Sequence, residues 1–225
     1  MSRRALVTGA ARGIGAAIAE RLAADGWQVH AVDVADGDLT TREGNRAVVD
    51  AALERFDGRL DAVVANAGFQ HVAPVRDFPE EQWERLQALL LTSPFLLAKY
   101  AWDALAASGD GRFLAVASVH GVVASPFKAG YVAAKHGVLG LVKVLALEGA
   151  EAGVSASALC PAYVRTELVE RQLAERDLDD LLAPQAVKRL LEPSEVAAAA
   201  AWLLGPDGRS VTGAPLVLDL GWSAR

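Results

Sequence analysis

Tyr131-Val132-Ala133-Ala134-Lys135 sets a phenol and an ammonium four residues apart, on one face if the segment is helical. A free phenol has a pKa of about 10 and is a poor base at neutral pH. An ammonium beside it favours the phenolate and lowers that value. The pair can then exchange a proton with a substrate hydroxyl. Ser118 closes a β-type run upstream, where its hydroxyl can orient a substrate oxygen. A Tyr and a Lys at this spacing also arise by chance on ordinary amphipathic helices. Weight comes from the ordered set: the Thr8–Gly15 loop, Asn66-Ala67-Gly68, Ser118, Tyr131 and Lys135.

Thr8-Gly9-Ala10-Ala11-Arg12-Gly13-Ile14-Gly15 reads as a turn between a first strand and a first helix. Gly9 permits a tight turn, Gly13 lets backbone approach a pyrophosphate, and Gly15 allows helix to pack closely on sheet. The helix N-terminus opening at Gly13-Ile14 favours negative charge. The bland alternative is a Gly-rich surface turn. Asp33 ends the second strand, where a carboxylate accepts both ribose hydroxyls of NAD and repels the 2′-phosphate of NADP. It can equally be a strand-end Asp capping a turn. Arg12 is able to pair with a 2′-phosphate, so the choice of cofactor rests on the weight given to Asp33.

Positioning these groups requires alternating strands and helices. Short β-branched runs fall near Arg4–Thr8, Val29–Asp33, Ala62–Ala65, Phe113–Ala117, Ser155–Leu159 and Leu216–Asp219. Helical patterns fall near Gly13–Asp25, Arg42–Phe56, Glu80–Ala107, Gly130–Ala150, Leu168–Arg176 and Ser194–Leu204. This alternation predicts a single α/β domain of the Rossmann type, a doubly wound parallel sheet. Between Asp33 and the helix near Arg42 there is no room for a crossover, which needs a dozen or more residues. One edge strand and its helix, normally found after the second strand, are therefore expected to be missing. The strand ending at Ala65 would pair beside the first.

The 225 residues are 52% hydrophobic, enough for one substantial core. No apolar run is seen that approaches the ~20 residues of a bilayer span, and no signal peptide precedes the first strand. Net charge is -6 with no basic block, which argues against nucleic acid. The single cysteine, Cys160, fits a reducing cytoplasm. No cluster of His, Cys, Asp and Glu suggests a metal.

In the glycine loop, Asp33, Asn66-Ala67-Gly68, Ser118, Tyr131 to Lys135, Pro161 and Thr166, the sequence resembles the short-chain dehydrogenase/reductases along nearly its whole length. The resemblance implies that Tyr131 is the acid/base, that Ser118 orients the substrate oxygen, and that Lys135 binds the nicotinamide ribose and tunes Tyr131. It implies a cofactor site of Gly9, Arg12, Gly13, Ile14, Gly15, Asp33, Asn66, Gly68, Tyr131, Lys135, Pro161, Val164 and Thr166. Pro161 to Thr166 would hold the carboxamide.

Within that family the chain is most similar to the D-3-hydroxybutyrate dehydrogenases, through Gly68–Val75, Ser118–Ser125, Tyr131–Gly137, Val164–Gln172 and Gly221–Arg225. The likeness implies that Gln70, His120, Lys128 and Gln172 hold a substrate carboxylate, with Ser118 and Tyr131 at the reacting carbon. Singly, Gln70 and Lys128 read equally well as solvated loop residues, His120 as a helix cap and Gln172 as an exposed helical residue. His71 and His136 read as structural or surface residues.

Three features depart from the pattern. Leu90 stands where the family has an Asn that supports a proton-carrying water at the Lys. The segment after Asp33 is short, which thins a wall of the adenine pocket. Ala162-Tyr163 replaces a usual Gly and, in the hydroxybutyrate enzymes, a Trp. A substrate lid is expected near residues 166–191, and its stretch from Leu173 to Leu191 is short. The expectation is NAD-dependent interconversion of a small 3-hydroxy acid and its 3-oxo acid by a cytoplasmic homo-oligomer, a dimer or tetramer built on the two long helices. The alternatives are a reductase of another 3-oxo compound, such as a 3-oxoacyl thioester, and a weakly active cofactor-binding scaffold.

Overall fold

The computed structural model describes residues 2–173 and 177–224, without the side chain of Gln172. Six parallel strands run in the order β2-β1-β3-β4-β5-β6. They are β1 (Arg4–Thr8), β2 (Gln28–Val32), β3 (Ala62–Ala65), β4 (Gly111–Val116), β5 (Val154–Pro161) and β6 (Pro215–Leu218). Residues of β3 and β4 are buried at every position, as strands covered on both faces must be. Helices α1 (Gly13–Ala24) and α8 (Pro193–Leu204) close one face. On the other lie α2 (Arg42–Arg55), α4 (Ser93–Ala107) and α5 (Ala129–Gly149). All six strands lie within two residues of their sequence-predicted places.

The missing strand and helix are indeed absent. From Val32 the chain reaches Arg42 without a strand or helix between, and β3 pairs directly with β1 through Val7 and Val64. The short connection is bolted down. Thr41 caps α2, its Oγ1 accepting the Gly44 N–H at 3.0 Å. A Cβ on Gly44 would collide with the Asp38 carbonyl oxygen, so only glycine lets the loop lie this close to the helix. Asn45, 0% exposed, donates from Nδ2 to the Leu39 and Thr41 carbonyls at 2.8 and 2.6 Å. Its Oδ1 accepts the Ser93 hydroxyl of α4 at 2.6 Å.

Two expectations need correction. The predicted helix over Glu80–Ala107 is interrupted: α3 (Glu80–Gln87) passes into a π-helical turn at Ala88–Thr92 before α4 begins. The Ser93 N–H donates to the Ala88 carbonyl, five residues back. Pro94 follows and has no N–H to give to the turn before it, so the regular ladder cannot run through. Second, α5 is long and apolar enough by length and hydropathy to cross a membrane. Here its Ala134, Val138, Val142 and Leu145 are buried against neighbouring elements. Helix α6 (Glu167–Leu173) starts one residue before its predicted place, and the predicted end at Arg176 lies outside the described residues.

Asn45→Ala is expected to strip buried partners from the Ser93 hydroxyl and the Leu39 carbonyl. Leaving such groups unsatisfied costs about 1–3 kcal/mol. Urea denaturation should report a loss of that size; a change under roughly 0.5 kcal/mol, the scale of surface substitutions, would show that the bolt contributes nothing.

Candidate active site

Crossovers leave β1 and β3 in opposite directions across the sheet, so the carboxyl ends of these neighbours part. That is the place where open α/β sheets bind ligands. A cleft of about 960 Å³ opens there. Its floor is clamped. Asn66 Nδ2 donates to the Thr8 and Gly9 carbonyls at 2.9 and 3.0 Å. Thr8 Oγ1 accepts the Asn66 and Ala67 N–H groups at 3.1 and 3.3 Å. Asn66 lines the cleft, yet both its amide donor bonds go to backbone of the glycine loop.

The loop fits a dinucleotide's pyrophosphate. Gly9 and Gly13 have φ of +63° and +59°, a conformation that a side chain disfavours. A Cβ on Gly13 would stand 3.2 Å from Thr166 Cγ2 across the cleft mouth. On Gly15 it would collide with the Gly9 carbonyl and the Asn66 amide. The N-cap residue of α1, Arg12, makes no side-chain cap bond, and Gly13 and Ile14 of the first turn line the cleft. Beyond that turn, Asp33 Oδ2 accepts the Ala11 N–H at 2.9 Å, and Oδ1 accepts that of Val34 at 2.8 Å. Those bonds aim the carboxylate. Arg12 is ion-paired with Glu167 of α6. Ile14, Gly68, Pro161, Val164 and Thr166 also line the cleft.

Ser118, Tyr131 and Lys135 meet farther in. Ser118 ends the run of β4 in extended backbone, and its Oγ accepts the His120 N–H at 3.2 Å. Tyr131 and Lys135 share a face of α5. Lys135 Nζ donates to the Val116 carbonyl at 2.7 Å and lies 5.6 Å from the centroid of the Tyr131 ring. Dense surroundings push Tyr131 up to about 12, with a hydrogen bond from Ser118 pulling the other way. Burial also brings Lys135 down to about 8. The sequence argument expects the ammonium to favour the phenolate; in this geometry burial outweighs that attraction.

Three of the four groups expected to hold a carboxylate converge beyond the Tyr. Gln70, His120 and Lys128 line the same cleft. Gln172 lies on α6, and its side chain falls outside the described residues. Lys128, 4% exposed, donates to the Tyr163 hydroxyl at 3.4 Å. His120 Nε2 and the Ser125 hydroxyl are 2.9 Å apart, and Nδ1 lies 3.4 Å from Ser118 Oγ. Burial first, then the Lys128 charge, brings His120 down to about 3. Its ring packs edge-on against Tyr131 and Trp222.

Sequence reasoning missed several cleft residues. Asp38, Leu39 and Thr40 line its outer end, so the short segment thought to thin the wall is itself a wall. The Thr40 hydroxyl and N–H, both on Asp38 Oδ1, hold the Asp38 carboxyl below the usual range. The available signal was Asp38-Leu39-Thr40-Thr41 before a helix, which reads as a turn and cap. Ser125 and its contact with His120 had no such signal, because the loop from Val122 to Lys128 brings them together.

The low value at His120 has a sign. Between about pH 6.5 and 3, the unfolded chain binds a proton that the folded one refuses, so this residue lowers stability as the pH falls through that window. His120→Gln should flatten that part of the acid limb in urea midpoints measured from pH 7 downward. An unchanged limb would mean that His120 titrates normally in the fold.

Comparison with known proteins bears on the family and the class of reaction. A family model described as enoyl-(acyl carrier protein) reductase matches residues 31–223, and one described as short chain dehydrogenase matches residues 3–37. A D-beta-hydroxybutyrate dehydrogenase from Rhizobium meliloti (strain 1021) is 36% identical, with 100% of both chains covered. Another, from Cupriavidus necator (strain ATCC 17699), is 38% identical over 99% of this chain and 98% of its own. An acetoacetyl-CoA reductase from Rhizobium meliloti is 36% identical over 96% of each. The crystal structure of gox2181 matches with a TM-score of 0.94 at 27% identity, covering 100% of this chain and 96% of that one. Shared along its whole length with enzymes of this kind, and folded on their sheet, the chain belongs to the short-chain dehydrogenase/reductase family and is an oxidoreductase acting on CH–OH groups.

Proposed function

We propose that the chain interconverts a small 3-hydroxy acid and its 3-oxo acid with NAD, 3-hydroxybutyrate and acetoacetate being the favoured pair. The observation that carries this reading is Lys128. An ammonium almost withdrawn from water, in the same cleft as Ser118 and Tyr131, favours an anionic substrate group. Gln70 and His120, with Gln172 by resemblance, complete the carboxylate end. The hydroxybutyrate dehydrogenase relatives support the same assignment.

Asp33 supports NAD over NADP, since its oriented carboxylate would repel a 2′-phosphate. Arg12, the one loop cation suited to that phosphate, is engaged by Glu167. The loop glycines and α1 would hold the pyrophosphate, Asn66 and Gly68 the floor beside it, Lys135 the nicotinamide ribose, and Pro161, Val164 and Thr166 the carboxamide. When bound, nicotinamide supplies the hydride acceptor, or the donor in reduction. Tyr131 takes the hydroxyl proton in oxidation and returns it in reduction. Ser118 orients the substrate oxygen, and Lys135 contributes positive charge near the phenol. Helices α6 and α7 (Leu178–Leu182) would belong to the small substrate lid expected near residues 166–191. Its Val169, Leu181, Leu182 and Leu190 pack with Tyr163 and Trp222, giving the pocket an apolar cap.

Homo-oligomerisation is proposed through α3 to α5, which expose Trp83, Phe95, Val144 and Leu147. A cytoplasmic location fits the lone buried Cys160. The acetoacetyl-CoA reductase relative raises a second reading, reduction of a thioester. A free carboxylate requirement separates the two.

Lys128→Ala should lower kcat/KM for 3-hydroxybutyrate by roughly ten- to a hundredfold, the worth of a charged hydrogen bond. An uncharged secondary alcohol of similar size should lose far less; equal losses would remove the carboxylate role. Titration of both cofactors should give tighter NAD than NADP binding, narrowed in Asp33→Ala, whereas a wild type preferring NADP would overturn the choice. Leu147→Glu should shift sedimentation towards smaller species, and an unaltered profile would put the interface elsewhere.

A further inference from the structure

Resting on the dehydrogenase reading, we infer that Tyr131 exchanges its proton with solvent through Ser118, His120 and Ser125, a relay that crosses the wall between the cleft and a separate outer groove.

Oxidation of an alcohol leaves a proton on Tyr131, which must depart before the next turnover. On one side the Tyr131 ring meets the alkyl groups of an apolar cluster. Leu90, 2% exposed, occupies the π turn and packs with Leu86, Ala134 and Tyr131. An alkyl side chain there neither carries a proton nor holds a water. Lys135 Nζ is turned to the Val116 carbonyl, an acceptor only.

On the other side polar atoms line up. Ser118 and Tyr131 line the same stretch of the cleft, and Ser118 acts on the phenol to lower its pKa against the effect of burial. Ser118 Oγ is 3.4 Å from His120 Nδ1, and His120 Nε2 is 2.9 Å from Ser125 Oγ. His120 faces the catalytic cleft, whereas Ser125 lines a groove of about 420 Å³ on the outer surface. Lys128 borders both spaces, and the exposed His136 borders the groove. Ser125 itself is half-buried between exposed Ala124 and Pro126. Polar atoms thus run from Ser118, beside the reacting phenol, through His120 to Ser125 on the outer groove.

In the Nε2–H tautomer of His120 every donor points outward. The Tyr131 O–H bond breaks as its proton passes to Ser118 Oγ, and the Ser118 proton passes to Nδ1. The Nε2 proton moves to Ser125 Oγ, whose own proton goes to water. One proton leaves, no charge stays on the ring, and the electron pair of the substrate C–H bond has already gone to the cofactor as hydride. Rotation of the hydroxyls and a flip of the ring reset the path. His120 must stay neutral for this. The groups facing it are Lys128 and His136, which repel a second positive charge, with Tyr131, Ser118, Ser125 and Trp222 around the ring. Ser125 touches no reacting atom and acts through His120.

Two measurements test the relay. The first compares wild type with Ser125→Ala in NAD-linked oxidation of 3-hydroxybutyrate, with and without added imidazole. Ser125→Ala should keep KM for acid and cofactor, lose kcat on the order of tenfold, less than the hundredfold or more of a whole general base, and regain it with imidazole. An unchanged kcat, a loss confined to KM, or a loss that imidazole does not rescue would each overturn the relay. The second needs no turnover: ¹⁵N spectra of histidine-labelled protein at neutral pH should show His120 as the neutral Nε2–H tautomer. A neutral Nδ1–H tautomer or a cation would overturn it too. A wild type inactive on every 3-hydroxy acid speaks against the dehydrogenase reading, and the spectra then judge the relay separately.

Discussion

At the switch point of the sheet, the amide of Asn66 and the hydroxyl of Thr8 tie two diverging strand ends together, and the rest of the cleft is built on that tie. Neighbouring parallel strands whose connections leave in opposite directions create a crevice but nothing to hold its lips. Buried backbone groups at those ends must find partners. Thr8 and Asn66 supply them, and Gly15 is bare so that α1 can close onto the same spot. The glycine loop therefore keeps its shape through the sheet, and its open helix terminus faces a cavity of fixed width.

That arrangement explains why the fold survives a large omission. Losing a strand at the edge removes pairing from β2 alone; the β1–β3 contact at the switch point is untouched. What the omission threatens is the outer wall of the cleft. Asn45 answers it by holding the Leu39 and Thr41 carbonyls on one side and Ser93 on the other, so that Asp38, Leu39 and Thr40 stand as wall. The same Ser93 opens α4 directly after the π turn, which links the outer wall of the cleft to the turn carrying Leu90.

Much of this was legible in the sequence, and the reason is local. Strands of four to eight residues flanked by glycine, and a Tyr and Lys one helical turn apart, are decided by near neighbours in the chain. The edge omission could be read because it is a matter of length between Asp33 and Arg42. The π turn was not, since it follows from Pro94 working against an otherwise continuous helical pattern. Nor could the balance at Tyr131 be foreseen. Spacing places Lys135 beside the phenol, but the depth of burial and the turn of Nζ to the Val116 carbonyl belong to the packed sheet. Asn45 with Ser93, and His120 with Ser125, pair through tertiary or loop geometry that spacing does not encode.

The departure at Leu90 then takes on a different meaning. An apolar residue beneath the Tyr and Lys strengthens the low-dielectric setting that raises the phenol and lowers the ammonium. A phenol near 12 is a good proton donor only to a strong base and a poor resting base, so the positive charge of an oxidised nicotinamide and of Lys135 must do more to favour the phenolate. Such a site gains most from a hydrogen-bonded exit that does not depend on the side of the pocket closed by leucine. The polar side is the one with Ser118 and His120, and it is also where the acid end of the substrate is proposed to rest. Proton exchange and substrate recognition would then share the imidazole, which ties the lowered His120 to both: neutral, it can donate to a carboxylate or pass a proton outward, and a permanent cation there could do only the first.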